Sequence, residues 1–227
     1  MVVGVDVSVR RGLDVVVLDA AARVVDARSR LEARDLGDLL TQWRPVSVAI
    51  DSPPGPGREP GATSRLCERE LRALGVNTFL TPSDLERFAG PFYDWVRVGS
   101  RAFEVAAAVG YPLQGDSGVV RGCAVEVFPH ASDVFLRGCL PPVHTTRRVG
   151  TKRAWRLATL EAAGVNTSDL CVNRVGAQTL DSIDAALAAV TALRAVDGVF
   201  SVFGSAGEWI VVPETTPAAL VRHSPTT

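Results

Sequence analysis

Val2-Val3-Gly4-Val5-Asp6-Val7 and Val46-Ser47-Val48-Ala49-Ile50-Asp51 are the two stretches that decide the fold of this chain. Both are apolar and rich in β-branched residues, a composition typical of strands inside a sheet. Residues 13–19 and 23–30 have similar character and follow the first stretch after gaps short enough for hairpins. The sequence therefore predicts a three-stranded antiparallel meander, followed later by a parallel strand that ends at Asp51.

Helical spacing dominates most of the remaining chain. A helix is predicted from an N-cap at Asp35 to Trp43, and a Pro- and Gly-rich loop follows the strand that ends at Asp51. A mostly helical insertion at about 52–120 comes next, with predicted helices at 63–74, 83–88 and 95–109. Beyond it we expect a strand at 123–128, helices at 132–136, 150–163 and 179–196, a strand at 208–213 and a flexible tail at 214–227.

This order of elements predicts an α/β fold with a mixed sheet of strand order 3-2-1-4-5. It is the order of a ribonuclease H-like fold, in a single domain that spans residues 1–213. Rossmann-type domains are the main alternative, but they lack an initial meander. The Gly-rich turn that such domains carry after their first strand is also missing after Val7.

The composition is that of an ordinary globular chain, with 227 residues, 47% hydrophobic and 22% charged. The apolar runs are far shorter than the roughly 20 residues that cross a bilayer, and the N-terminus carries no charged and apolar leader. We therefore expect a cytoplasmic protein with no membrane partner. The net charge of -1 means that any nucleic-acid binding depends on a local basic patch.

Several acidic residues occupy positions where the hydrophobic pattern of the predicted strands and helices predicts an apolar residue. Asp6 interrupts an apolar strand, and Asp51 closes another at its C-terminal end, where α/β sheets place their ligands. Glu126 sits between two valines, and Asp184 lies on or beside the buried stripe of the 179–196 helix, with Asp181 one turn earlier. Burying an unpaired carboxylate costs several kcal/mol, so these positions are informative. The predicted fold sends all of these acids to one edge of the sheet.

Each acid also has a structural interpretation. Asp6 can face the surface or accept backbone donors, and Asp51 can cap the turn into the following loop. Asp181 can be a first-turn acid that the helix dipole favours, and Glu126 can pair with an arginine of the insertion. The sequence does not decide between Asp181 and Asp184 as a ligand, because a helix rotation of one residue exchanges their positions.

Carboxylates that converge at a sheet edge repel one another, and proteins usually neutralise this repulsion by binding divalent cations. Hard oxygen ligands suit Mg²⁺ or Mn²⁺, which two-metal sites hold roughly 3.5–4 Å apart. In such a site one ion activates a water and the other stabilises the departing oxygen of a phosphoryl transfer. The acids therefore predict metal-dependent phosphodiester hydrolysis.

Several short motifs together resemble those of the domain-of-unknown-function family 429. They are Gly4-Val5-Asp6, Ile50-Asp51-Ser52-Pro53, Arg65-x-Cys67-Glu68-x-x-Leu71-Arg72, Gly110-Tyr111-Pro112, Glu126-Val127-Phe128-Pro129-His130, Asp181-x-x-Asp184-Ala185 and Ile210-Val211-Val212-Pro213. That family is predicted to comprise ribonuclease H-like nucleases. The resemblance spans residues 2–213 and implies such a fold, with Asp6, Asp51, Glu126 and Asp184 as the acidic set. It also places Lys152, the only lysine, at a basic position that the family carries.

Basic and polar residues are the candidates for substrate binding. Arg65, Arg69 and Arg72 form one stripe, which can contact phosphate or pair with nearby glutamates. His130 can shuttle a proton or serve as a loop residue, and we expect Tyr111 to shape the mouth of the site.

A second basic cluster surrounds Lys152 and includes Arg147, Arg148, Arg153, Arg156 and the aromatic Trp155. It can bind a nucleic-acid backbone, or Trp155 can pack inside the protein. Lys152 itself can stabilise charge near the scissile phosphate or remain a solvated side chain in the first helical turn.

Three functions fit these observations. The first is a nuclease or phosphodiesterase that takes nucleic acid or a small phosphate ester through its arginine patches. The second is a nucleotide-binding protein, because residues 4–12 resemble the phosphate-binding hairpin of actin-like and sugar-kinase ATPases, although 227 residues are too few for their usual domain pair. The third is a non-catalytic binding or scaffold protein, and the presence of all four acids favours an enzyme over it. Oligomeric assembly remains possible.

Overall fold

Five strands form a mixed sheet in the computed structural model, which describes residues 1–115, 118–142, 148–205 and 207–214. The strands are β1 (Val2–Ser8), β2 (Gly12–Leu18), β3 (Val24–Leu31), β4 (Val48–Asp51) and β5 (Ala124–Glu126). Their order is β3-β2-β1-β4-β5. The first three strands are antiparallel, β4 runs parallel to β1, and β5 runs parallel to β4. The predicted fold class and strand order are confirmed.

Helices cover the sheet and fill the connections. They are α1 (Ala33–Trp43), α2 (Leu66–Ala73), α3 (Leu85–Phe88), α4 (Asp94–Ala108), α5 (Pro129–Arg137), α6 (Val149–Ala162) and α7 (Leu180–Val196). A separate antiparallel hairpin, β6 (Phe200–Ser205) and β7 (Glu208–Pro213), follows α7. Between β4 and β5 the described chain forms α2, α3 and α4, the region where the sequence predicts the helical insertion.

Some boundaries differ from the sequence predictions, each for a local reason. Glu32 is the N-cap of α1, and Asp35 closes a capping box from the third helical position. Helix α5 begins at Pro129, because proline at the first helical position has its φ already set and its missing N–H needs no partner. Strand β6 was not predicted. The predicted tail lies outside the described residues apart from Glu214, and the single-domain assignment stays a prediction.

The two faces of the sheet carry different helices. Val2, Val16 and Ala49 pack with α7 in one core cluster. Val3 and Ile50 belong to a second cluster, which also contains buried residues of α1 and α4. Side chains alternate along a strand, so residues two positions apart lie on the same face of the sheet. In the described part of the chain no helix is long and apolar enough to span a membrane.

Gly4 allows α7 to lie directly against β1. A Cβ atom at Gly4 would stand 2.1 Å from the carbonyl oxygen of Ala185 and 2.3 Å from the amide nitrogen of Ala189. No side chain fits between the strand and the backbone of the helix, so glycine is required at this position of β1. The close approach brings the first turns of α7 over the C-terminal end of β1, where Asp6 lies.

Candidate active site

Three aspartates lie side by side on β2, β1 and β4. Asp6 is in register with Asp14 on β2 and with Asp51 on β4. Alternation places all three on the face that α7 covers, because Val16 and Ala49, two residues from Asp14 and Asp51, pack against that helix. The sheet therefore carries a line of carboxyl groups across three adjacent strands, and Asp6 in its centre is only 8% exposed.

Helix α7 adds two more aspartates to this line. Thr179 caps the helix, since its hydroxyl oxygen accepts a hydrogen bond from the amide of Ser182 at 3.1 Å. This cap fixes the start of α7, so that Asp181 and Asp184 fall in its first turns, three residues apart and on one side. We refer to Asp6, Asp14, Asp51, Asp181 and Asp184 as the aspartate cluster.

The cluster is electrostatically strained. The pKa of Asp6 is raised well above its ordinary value, first by burial and then by the charges of Asp51, Asp184, Asp181 and Asp14. The pKa of Asp51 is raised to about 8 by burial and by Asp184, against the opposing effects of Arg156 and of a hydrogen bond with Asp6. Asp51 therefore retains its proton at neutral pH unless a cation replaces it, and Asp6 binds a proton more readily than an ordinary aspartate.

Two arginines neutralise the helical members of the cluster. Arg156 of α6, which is 4% exposed, is paired with Asp184. Arg11, in the turn between β1 and β2, pairs with Asp181 at 2.9 Å. Asp184 has a larger effect than Asp181 on the pKa of Asp6, and it is the largest charge effect on Asp51. Asp184 therefore acts on the Asp6–Asp51 pair more strongly than Asp181 does, and the charge of Asp14 contributes to the raised pKa of Asp181.

Glu126 ends β5 at the same edge of the sheet as Asp51 but on the other face, and its charge contributes to the raised pKa of Asp51. It pairs in register with Ile50, so it points to the opposite face of the sheet from Asp51. Arg65 donates two hydrogen bonds of 2.7 Å to its two carboxylate oxygens, and a third of 2.9 Å to Glu68. Burial raises the pKa of Glu126, and Arg65 opposes that effect. The alternative interpretation, a pair with an arginine of the insertion, is what the structure shows.

The rest of the arginine stripe on α2 is bound to neighbouring loops. Arg69 donates to the carbonyl oxygen of Ser64 at 2.7 Å and to Glu59 at 3.1 Å. Arg72 donates to Asn77 at 2.8 Å and to the carbonyl oxygen of Thr78 at 2.9 Å. These bonds fix the loops on both sides of α2, and none of them is to a member of the aspartate cluster.

His130 and Lys152 lie beside Arg156, on the flank of the cluster next to Asp184. Burial lowers the pKa of His130 to about 4, and the charges of Arg156 and Lys152 act in the same direction. The imidazole is therefore neutral at pH 7 and can accept a hydrogen bond, but it is a weak base. Lys152 is half-buried in the first turn of α6.

Tyr111 lies at the other end of the sheet. It borders a cavity together with Arg44, Pro45 and Gly122, which precede β4 and β5, whereas the aspartates stand where β1 and β4 end. The strands thus separate Tyr111 from the cluster, and it does not shape the mouth of the site. The motif Gly110-Tyr111-Pro112 instead joins α4 to the chain that leads to β5.

The basic cluster around Lys152 divides into different environments. Arg156 turns inward to Asp184, and the guanidinium of Arg137 covers the ring of Trp155, 4.1 Å from its centroid. Trp155 therefore packs within the protein, which is the second of the two interpretations given for it above. Arg148 is exposed at the start of α6, and Arg147 lies outside the described residues.

Two residues of the site were missed in the sequence. Asp14 interrupts an apolar run in the same way as Asp6, and pairing the two strands through their short hairpin would have placed it opposite Asp6. Arg156 was recognised only as part of a basic patch. Its position in the helix does not indicate that it points into the protein. The pair with Asp184 is visible only once the packing of α6 on α7 is known.

The donor atoms of the cluster suit a hard divalent cation, although they are not arranged around one. Among the residues that the structure describes, no group of three His, Cys, Asp or Glu side chains has the geometry to hold a metal ion. Asp6 and Asp51 are buried carboxyls with raised pKa values, because no cation among the described residues fully balances their charge inside the protein. A bound divalent cation supplies that balance, and carboxylate oxygens are the ligands that Mg²⁺ and Mn²⁺ prefer.

Fold and site together define a class: an α/β protein of ribonuclease H-like fold with an acidic site where β1 and β4 end. The chain belongs to the family described as protein of unknown function (DUF429), whose sequence model matches residues 4–208, and this confirms the resemblance noted above. No curated protein sequence matches it. Among solved structures, the RuvC of T. thermophilus in complex with a Holliday junction substrate is 15% identical, with a TM-score of 0.42, and the match covers 87% of this chain and 95% of that one. The fold assignment itself rests on the strand order.

Proposed function

We propose that the protein is a metal-dependent phosphodiester hydrolase, with nucleic acid as its substrate class. The observation that supports this most is the meeting of Asp6, Asp51 and Asp184 from two parallel strands and one helix. Burial, and after it the charge of Asp184, raises the pKa of Asp51 to about 8. A stable apolar core does not need three aspartates that meet in this way. Such an arrangement lowers stability unless a cation binds to it.

Asp6, Asp51 and Asp184 are the proposed ligands of Mg²⁺ or Mn²⁺. When bound, such ions act as Lewis acids on a phosphoryl oxygen and lower the pKa of water. Asp181 and Asp14 extend the negative field on one side and are proposed to attract the cation. Glu126 is not part of the proposed set, because both of its oxygens accept hydrogen bonds from Arg65.

Basic residues on the Asp184 side are proposed to act on the substrate. Arg156 holds Asp184 in place and fixes its orientation towards the pair of strand aspartates. Lys152 is proposed to neutralise charge on the phosphate, since it is the flexible cation on that flank. His130, neutral at pH 7, is proposed to accept a hydrogen bond from the substrate or from a water molecule.

Hydrolysis assays test this proposal directly. Single-stranded DNA, RNA and bis(p-nitrophenyl) phosphate are incubated with the protein in Mg²⁺ or Mn²⁺, and the Asp6→Asn and Asp184→Asn variants are compared with wild type. We expect each variant to lower the rate by roughly 100-fold or more. Asp38→Asn is the control, because Asp38 is an exposed aspartate on α1, which packs on the other face of the sheet. Activity that survives Asp6→Asn would contradict the proposal.

A further inference from the structure

A cavity of about 370 Å³ lies next to the aspartate cluster and shares Asp51 with it. It occupies the other side of the strand ends, where Val7 and Glu126 face α4 and the loop after α2. Its size falls within the range of small-molecule binding sites. We call it the aromatic cavity, after the side chains that form its walls, which are Phe79, Phe92, Trp95 and Phe128.

The walls of the aromatic cavity expose large rings to solvent. Phe79 is 61% exposed and Phe92 is 63% exposed. Phe79 contacts Trp95 with ring centroids 5.6 Å apart and planes tilted by 51°. Folding leaves most of each ring in water, so a ligand that covers the rings gains the free energy of burying them. Exposed apolar surface at the edge of a cavity is typical of a binding site, and flat aromatic rings favour a flat ligand.

The floor of the cavity is polar and rich in hydrogen-bond acceptors. It contains Arg65 between Glu68 and Glu126, all buried. One guanidinium thus faces two carboxylates. The second oxygen of Glu68 accepts two hydrogen bonds, of 3.0 Å from the amide of Arg65 and 2.9 Å from the amide of Thr81, whereas each oxygen of Glu126 accepts one bond from Arg65 and can accept another. Asp51 adds a further acid at the rim. Such a floor repels a phosphate and attracts a neutral group that carries N–H donors.

We propose that the aromatic cavity binds a nucleobase with an exocyclic amino group, taken from the nucleotide whose phosphodiester lies at the aspartate cluster. This inference rests on the proposed function. A base with such a group supplies a flat surface for the walls and an N–H donor that can make a second hydrogen bond to an oxygen of Glu126. Asp51, common to both sites, lets one nucleotide reach the cavity and the cluster at once.

The inference defines the substrate class more narrowly. A base stacked inside a duplex cannot enter the cavity, so it must be unpaired or turned out of the helix. The substrate is therefore single-stranded or locally unpaired nucleic acid, bound by stacking rather than by a broad basic surface. The near-neutral net charge of -1 agrees with this mode of binding.

Binding of free nucleosides tests the cavity without any dependence on catalysis. Adenosine, guanosine, cytidine and uridine are titrated calorimetrically into the metal-free protein. We expect the three with an amino group to bind more tightly than uridine, and Phe79→Ala and Phe92→Ala to weaken them by about tenfold or more. Both rings are mostly exposed, so their removal leaves the fold intact. Val175→Ala, at a residue 85% exposed and outside the cavity, is the control and leaves the affinity unchanged.

Cleavage assays separate this inference from the proposed function. A single-stranded oligonucleotide is compared with the same strand carrying one abasic position and with its duplex. We expect slower cleavage beside the abasic position and in the duplex, and Phe79→Ala to slow cleavage of the intact strand only. Equal cleavage of all three, with no nucleoside binding, overturns the cavity inference while the hydrolase stands. Nucleoside binding without any cleavage supports the cavity and overturns the hydrolase.

Discussion

At the scale of the residue, the two strand aspartates determine how the site behaves. Asp6 and Asp51 are buried side by side, and the pKa of both is raised, that of Asp51 to about 8 from an ordinary 3.8. Between about pH 3.8 and pH 8, these two groups therefore bind more protons in the folded protein than in the unfolded chain. The contribution of these two groups to the stability of the metal-free protein is greatest at the acidic end of that interval and falls as the pH rises towards 8.

Asp51→Asn removes this pH dependence in part. We expect the metal-free variant to be more stable than wild type at pH 7.5, by about 1 kcal/mol or more, because a neutral amide ends the repulsion with Asp6 and Asp184. Urea unfolding in a chelator, repeated from pH 5 to pH 8, measures the effect. A variant as sensitive to pH as wild type, or one that is less stable at pH 7.5, would show that the acids do not repel one another in the folded protein.

Glu126 behaves differently, because it balances Arg65. Glu126→Gln leaves a buried guanidinium without full compensation, and we expect a loss of about 3–5 kcal/mol in the free energy of unfolding, with or without metal. The exposed pair Arg101–Glu104 provides the control, since Glu104→Gln should change stability by less than about 1 kcal/mol. If Glu126→Gln affected metal binding and left metal-free stability unchanged, Glu126 would be a ligand after all.

At the scale of the element, α7 and β1 bring the site together. The sequence indicated both elements and the acids they carry, because apolar strands interrupted by aspartate and an alanine-rich helix are clear patterns. It did not indicate the face to which each acid points. Glu126 stands at the end of a strand like Asp51, yet the register with Ile50 sends it to the opposite face, and only the paired sheet reveals this.

Gly4→Ala tests the contact between these elements. The added methyl group meets backbone atoms of Ala185 and Ala189, so α7 must move away from β1. We expect a loss of about 1–3 kcal/mol in stability and a weaker affinity for Mn²⁺, because Asp184 moves with the helix. Gly150→Ala in α6, where a Cβ atom meets no other atom within 4 Å, is the matched control and should leave stability unchanged or raised. Normal metal affinity in Gly4→Ala would show that the metal site does not depend on the contact between α7 and β1.

At the scale of the whole molecule, topology explains why distant residues form one site. The order β3-β2-β1-β4-β5 sets β1 between β2 and β4, so three aspartates from different parts of the chain become neighbours. That order was predictable from the meander and the parallel strands. The aromatic cavity was not, since it forms where the segment between β4 and β5 folds back on the strand ends, and its loops carry no periodic pattern.

The central claim is that the aspartate cluster is a metal site, and calorimetric titration with Mn²⁺ at pH 7, in buffers of different ionisation enthalpy, tests it most directly. Metal must displace the proton that Asp51 retains at pH 7, so we predict saturable binding with proton release. Asp6→Asn should weaken binding by at least about tenfold, and Asp38→Asn should not. Binding without proton release, or affinity unchanged in Asp6→Asn, would contradict the account.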